Sequence, residues 1–294
     1  MPDMREEFIR VAGDLLAEDP LVAVVLADIS ISAFADAGIA SDRLINVGIR
    51  EQLMVSVAGG LALSGMRPIA HTYAPFIVER GFEQLKLDLT HQDVHAVVAS
   101  IGASYDASDS GRTHHSPGDV ALVATLPGWS VVIPGHPRDV EPALRRAVQD
   151  GRTYLRLSTQ ANARHQAADH GVVTMRRGER GTLLAVGPML DHVIEATRDL
   201  DVTVLYTTRV VPFDSAGVRA ATVNSDVVLV EPYLAGTSAA AVSAALADRP
   251  HRLLCLGVGN HDIRRYGTPT EHDAAHGLDA ASLRGRISGF LTAA

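Results

Sequence analysis

Short apolar runs and amphipathic helical segments alternate along this chain of 294 residues, and that alternation limits its fold more than any other feature. A run such as Leu21–Ala27 or Ala96–Ile101 carries no polar residue at every second position, so both of its faces need cover, as in a parallel sheet packed between helices. Pro68–His71, Ser130–Pro134 and Thr153–Leu157 read as further strands of the same unit. Helices are expected near Glu51–Ser64, Ile77–Asp88, Gly118–Thr125 and Pro137–Gln149. A second series of strands follows at Gly181–Val186, Val202–Tyr206, Asp226–Glu231 and Arg252–Gly257, with the alanine-rich stretch Ala239–Ala247 as a helix. The polar segment Ala161–Gly171 lacks periodicity and reads as the linker. The expectation is an α/β chain of two consecutive parallel-sheet domains, residues 1–165 and 166–294.

With 47% hydrophobic and 20% charged residues, such a chain can bury a sizeable core. Its formal charge of 26 − 34 = −8, with no basic run longer than pairs such as Arg145-Arg146, argues against nucleic acid as a partner. The single cysteine, Cys255, lies in the apolar run Leu253–Leu256, which reads as a buried strand and offers neither a disulfide nor a metal cluster. A reducing cytoplasm is the expected compartment. The first twenty residues read as a charged amphipathic helix rather than a secretion signal, and no apolar run approaches the roughly eighteen residues a membrane span needs.

The helix expected after Asn46-Val47-Gly48-Ile49-Arg50 starts on Glu51, and Met54, Val57, Ala58 and Leu61 give it an apolar face. Two readings of Glu51 stand side by side. An acid in a first helical turn is favoured by the helix dipole; a carboxyl held against apolar neighbours can shuttle a proton near neutral pH. Tyr73 and Phe76, three apart, can form an aromatic wall or simply pack in the core. Arg80, Glu83 and Gln84 read as fixing helix ends or a subunit contact. Asp28 closes an apolar strand, where a turn-capping acid and a ligand-facing acid look alike. His114-His115 is compatible with half a zinc site, but no further cysteine or acid stands at a suitable spacing, so no metal is expected on this chain.

Taken in order, Asn46-Val47-Gly48-Ile49-Arg50-Glu51, then Tyr73-Ala74-Pro75-Phe76 with Arg80, Glu83 and Gln84, then Gly111-Arg112-Thr113-His114, resemble the pyrimidine-binding domain of the transketolase family of thiamine diphosphate enzymes. Val186-Gly187-Pro188-Met189, Val211-Pro212-Phe213-Asp214, Tyr266-Gly267-Thr268-Pro269 and Gly277-Leu278-Asp279 resemble the family's C-terminal domain. The resemblance implies thiamine diphosphate as cofactor, with Glu51 at the pyrimidine nitrogen N1′, Tyr73 and Phe76 against the pyrimidine ring and Asp28 near the thiazolium. It makes His114 a proton-moving, substrate-binding histidine, with His115 and Ser32 also on the substrate side. Departures accompany it. The acid that relatives carry directly before the glycine is displaced to Asp109, Thr159 stands where sugar-phosphate enzymes place a phosphate-gripping arginine, and a histidine is replaced by Gly102. Such losses remove charge-assisted bonds from a phosphate and make an unphosphorylated acceptor plausible.

The chain contains no G-D-G motif, the family's anchor for a divalent metal on the cofactor diphosphate. The resemblance therefore implies the small subunit of a split enzyme. Its partner subunit would carry the G-D-G domain with Mg2+ or Ca2+, in a heterotetramer of two large and two small subunits. A ketol transferase acting on sugars is the first expectation. An enzyme taking pyruvate or another 2-oxoacid, like deoxyxylulose-phosphate synthases or the β subunits of 2-oxoacid dehydrogenases, is the alternative, and a non-catalytic regulatory subunit the third.

Overall fold

A computed structural model describes residues 2–168 and 171–293; Asp169 and His170, at the end of the expected linker, lie outside the described residues. Among the described residues twelve strands, β1 (Val22–Leu26), β2 (Leu44–Asn46), β3 (Arg67–Tyr73), β4 (Val97–Ile101), β5 (Ser130–Val132), β6 (Thr153–Arg156), β7 (Val173–Arg176), β8 (Thr182–Val186), β9 (Thr203–Thr207), β10 (Arg209–Val211), β11 (Asp226–Leu234) and β12 (Arg252–Val258), form two sheets. The first runs β10-β5-β6-β4-β3-β1-β2 and the second β12-β11-β8-β9-β7. The apolar strand runs are buried as expected: every residue of β1, β4, β8 and β9 is buried.

Both sheets are parallel except at one edge. Strand β7 pairs antiparallel with β9, and β10 pairs antiparallel with β5 through Arg209 against Val132 and Val211 against Val131. Strand β10 follows β9 of the second sheet in sequence but extends the first, so the two units share a backbone ladder. One core cluster likewise combines Val98, Val131 and Tyr154 of the first unit with Leu184, Leu205 and Leu229 of the second. The expected helix over Ile77–Asp88 is instead a succession of wide turns, Pro75–Glu79 and Leu85–His91, around a short helix at Phe82–Gln84. Cys255 is half-buried rather than buried, because β12 is an edge strand.

Because β1, β3, β4 and β6 are mutually parallel, the loops after Leu26, Tyr73, Ile101 and Arg156 all leave the same edge of the first sheet. A crevice at that edge is where open α/β sheets bind ligands.

Candidate active site

Glu51 is the first residue of the helix Glu51–Leu63 and is 1% exposed. The turn that delivers it is organised by Asn46. Its side-chain oxygen accepts from the backbone N–H groups of Asp28 (2.9 Å) and Gly48 (3.1 Å), and its amide donates to the Asp28 carboxylate (2.9 Å). Gly48 has φ +74°, a backbone region open to glycine at little cost, which explains the glycine of this motif. Asp28 itself has φ +64° and is exposed at the end of β1.

Arg80 supplies what sequence reasoning missed. Its Nη1 lies 2.7 Å from Glu51 Oε2, and its guanidinium sits 4.4 Å from the centroid of the Phe76 ring. Arg80 caps the turn Pro75–Glu79, in line with the expectation that it fixes a helix end, and in addition joins the buried carboxylate to the aromatic residues. A buried carboxylate needs such a partner.

The aromatic residues converge. The rings of Tyr73 and Phe76 lie 5.9 Å apart, and His114 meets both edge-on at 5.4 Å and 5.0 Å. Thr113 Oγ1 and His114 Nδ1 are 3.0 Å apart. Gly102 bears directly on Tyr73: a Cβ there would stand 2.2 Å from the tyrosine ring, and φ is +71°. No histidine fits at position 102 while Tyr73 holds this place.

Tyr73 also lines a cleft of about 240 Å3 together with Asp3, Arg5, Asp106, Asp109 and Thr159. Three acids and one arginine line it. Asp106, rather than the exposed Asp109, ties this cleft together. It accepts from the backbone N–H groups of Ala103 (3.1 Å) and Thr159 (2.9 Å) and from the Ser158 hydroxyl (3.1 Å), and burial pushes its pKa up to about 6.

Ser32 is exposed on the short helix Ile31–Asp36, while its neighbour Ser30 is buried. Ser30 Oγ accepts from Arg5 Nε (3.1 Å) and lies 2.9 Å from Nε2 of the fully buried His71, whose Nδ1 lies 2.9 Å from the Ala99 carbonyl. Burial lowers the His71 pKa to about 3. Unfolded histidine binds a proton near pH 6.5 and folded His71 does not, so its contribution to stability is lost as pH falls from about 6.5 toward 3. At pH 5 the loss should reach about 2 kcal/mol. Glu231, whose pKa burial raises to about 7, works in the opposite sense, costing stability as pH rises from about 4.5 through 7. Comparing urea midpoints of the wild type and His71→Gln at pH 7 and pH 5 isolates the histidine: the variant should lose less stability on acidification, and equal losses would remove His71 from the balance.

The adjacent histidines part. His114 joins the Tyr73 and Phe76 rings, while His115 is buried and lines a second cavity against the C-terminal unit. Asp214 caps the helix Ser215–Ala221 by accepting from Gly217 N (2.8 Å) and also accepts from Val172 N (2.9 Å), so the Val211–Asp214 motif serves the framework.

A buried carboxylate, an aromatic pair and a histidine thus gather at the carboxyl edge of a parallel sheet. Residues 1–164 match the family model for the transketolase pyrimidine-binding domain. This chain belongs to the transketolase family, whose transketolases and deoxyxylulose-phosphate synthases depend on thiamine diphosphate. An uncharacterized 33.6 kDa protein in the fasciation locus of Rhodococcoides fascians is 51% identical, over 98% of this chain and 95% of its own length. The 1-deoxy-D-xylulose-5-phosphate synthase of Cupriavidus metallidurans is 31% identical over 82% of this chain but only 40% of its own length. A split gene transketolase, solved as an inactive beta4 tetramer, has the same fold with a TM-score of 0.84 at 24% identity, covering 98% of both chains.

Proposed function

We propose that this chain is the small subunit of a two-component, thiamine diphosphate-dependent transketolase-like transferase, moving a two-carbon ketol unit from a ketose donor to an aldehyde acceptor. The observation that carries the reading is the unbroken series of contacts from Glu51 through Arg80 and Phe76 to Tyr73 and His114. Its donor set fits an aminopyrimidine, with a carboxyl group for a ring nitrogen and apolar faces for the ring. When bound, thiamine diphosphate supplies a carbon nucleophile that accepts and releases the carbonyl fragment. Glu51 offers its carboxyl to pyrimidine N1′ and sets the proton balance of that ring, while Tyr73 and Phe76 orient it and exclude water. Asp28 would stand on the thiazolium side, and His114 would serve the substrate oxygens together with Ser32.

The likeness to a split gene transketolase, over 98% of both chains, supports the subunit arrangement. A partner polypeptide carrying the diphosphate domain and its Mg2+ or Ca2+ would complete the site, two large subunits with two small ones, and the division into domains falls near residue 165. The three acids lining the cleft beside Tyr73, against one arginine, favour an unphosphorylated acceptor. The 31% identity to deoxyxylulose-phosphate synthase favours a second reading, in which the donor is pyruvate or another 2-oxoacid.

Reconstitution with the G-D-G protein and supply of thiamine diphosphate and Mg2+ tests this. Two-carbon transfer from a ketose to an unphosphorylated aldehyde by the pair, with none by the isolated chain, is expected. Carbon dioxide release from pyruvate without ketose cleavage would select the second reading, and full turnover by the chain alone would end the split arrangement.

A further inference from the structure

The second cavity, about 250 Å3, opens between the loop Ser104–Pro117 of the first unit and the segment 258–276 of the second. Four histidines and an arginine converge on it. His115, His261, His272 and His276 form a chain of rings, with His115 5.2 Å from His272, His272 6.5 Å from His276 and His276 5.1 Å from His261; Arg112 lies at the rim. Tyr105 backs the group, stacking on His272 at 5.2 Å and on His276 at 5.4 Å while its hydroxyl donates to Asp273.

Two of these imidazoles are unfinished. His115 is 7% exposed and His272 1%, and the Nε2 atom of each is buried with no hydrogen-bond partner among the described residues. Two orphaned ring nitrogens in one cavity cost free energy unless something polar enters. Among the described residues no three His, Cys, Asp or Glu side chains are placed to hold a metal ion. One acid, Asp262, lines the cavity, and Arg112 lies 3.4 Å from it.

We propose that this cavity is a binding site for a phosphate-type oxyanion, held by His115, His272 and His276 with Arg112 at the mouth. Its volume lies below the roughly 300–1,000 Å3 of sites for drug-sized ligands, which suits a small phosphate monoester. The site is separate from the Tyr73 cleft, and it stands whether or not the proposed transferase reading holds.

The cavity's electrostatics favour an arriving anion. Burial and then His272 lower the His115 pKa, with Arg112 and His114 adding to this and Asp262 opposing it. Burial and then Arg265 lower that of His272, against a hydrogen bond with the Tyr266 backbone and the charges of Glu271 and Asp273. His276 falls to about 4 through burial and through His261, His272, His115 and Arg265. An anion beside these rings favours their protonated form and draws protons onto them, so affinity rises as pH falls.

Calorimetric titration of the purified full chain with sulfate, a dianion at every pH used, tests the site. Affinity should rise about tenfold from pH 8 to pH 6, equivalent to about 1.4 kcal/mol. Inorganic phosphate and glycerol phosphate at pH 7, compared with acetate, distinguish a free ion, a monoester and a carboxylate. The proposal expects both phosphates to bind, the monoester at least as tightly, and acetate not to bind. The double variant His272→Gln/His276→Gln should weaken sulfate at least tenfold. Should it fail to fold, the rim variant Arg112→Gln and the shifts of the wild-type histidine C2–H resonances on adding sulfate report on the same site. Unsaturable sulfate binding, or equal affinity in the wild type and Arg112→Gln with no histidine resonance moved, would overturn it.

Discussion

Glu51→Gln is expected to fold like the wild type and to lower turnover of the reconstituted enzyme by about 10²–10⁴-fold, the range typical of a lost acid–base group. Glutamine keeps the size and one acceptor oxygen of the buried side chain, so Arg80 can still donate to it across the 2.7 Å now separating Nη1 from Oε2. The Arg80 side chain is 42% exposed and can turn to water, so losing the charge pair costs little stability. What glutamine cannot do is exchange a proton with the pyrimidine nitrogen. Turnover should therefore fall while the donor KM changes little, the pattern of an interaction made on the way to the transition state. Arg80→Gln separates the two sides of the pair: it leaves the acid in place, should preserve most turnover and should shift the pH profile. Equal turnover in Glu51→Gln and the wild type would take Glu51 out of the mechanism.

The parts of this site that were legible in the sequence are those carried by local chain geometry. Glu51 follows a turn whose asparagine and glycine each have a local task, and Tyr73 and Phe76 sit either side of a strand end. The Arg80 link spans 29 residues and obeys no helical or strand period, so nothing in the pattern distinguishes it from a surface arginine. Strand β10 was missed for a similar reason. Three residues long and only partly buried, it pairs with a strand far behind it in sequence. Strands β2 and β7, of three and four residues, are likewise short, partly exposed edges without a long apolar run. The displaced acid was sought at Asp109, whereas the loop is held by Asp106, three residues earlier, through backbone donors that composition does not reveal. His272 and His276 did carry a signal. Standing four apart in the helix Pro269–His276, they share one face, and only their meeting with His115 needed the fold.

Arg156→Met should destabilise the chain by about 3–5 kcal/mol, the cost of stranding one member of a buried ion pair. Arg156 is 1% exposed and its partner Asp119 is fully buried. Asp119 Oδ2 accepts from both Arg156 Nε (2.7 Å) and the Tyr154 hydroxyl (2.6 Å), and Oδ1 has no partner among the described residues. Methionine fills much of the arginine's volume, so the loss is electrostatic rather than a cavity: a carboxylate remains in an apolar surround with one neutral donor. The same guanidinium donates to Ser104 Oγ (2.7 Å), which donates on to the Pro232 carbonyl (2.6 Å), and it lies 5.5 Å from the Tyr233 ring centroid. Arg156 therefore joins β6, the loop after Gly102 and β11 of the second sheet. Its removal should loosen the wall that carries Tyr105 as well as lower the denaturation midpoint. Urea unfolding checks this, with the midpoint falling at unchanged slope if the transition stays cooperative. Arg156→Met/Asp119→Leu removes the stranded charge along with its partner and should recover a large part of the loss, since well-packed apolar pairs often replace buried ion pairs at no cost. A single variant within about 1 kcal/mol of the wild type would show that this buried pair contributes no more than an exposed one.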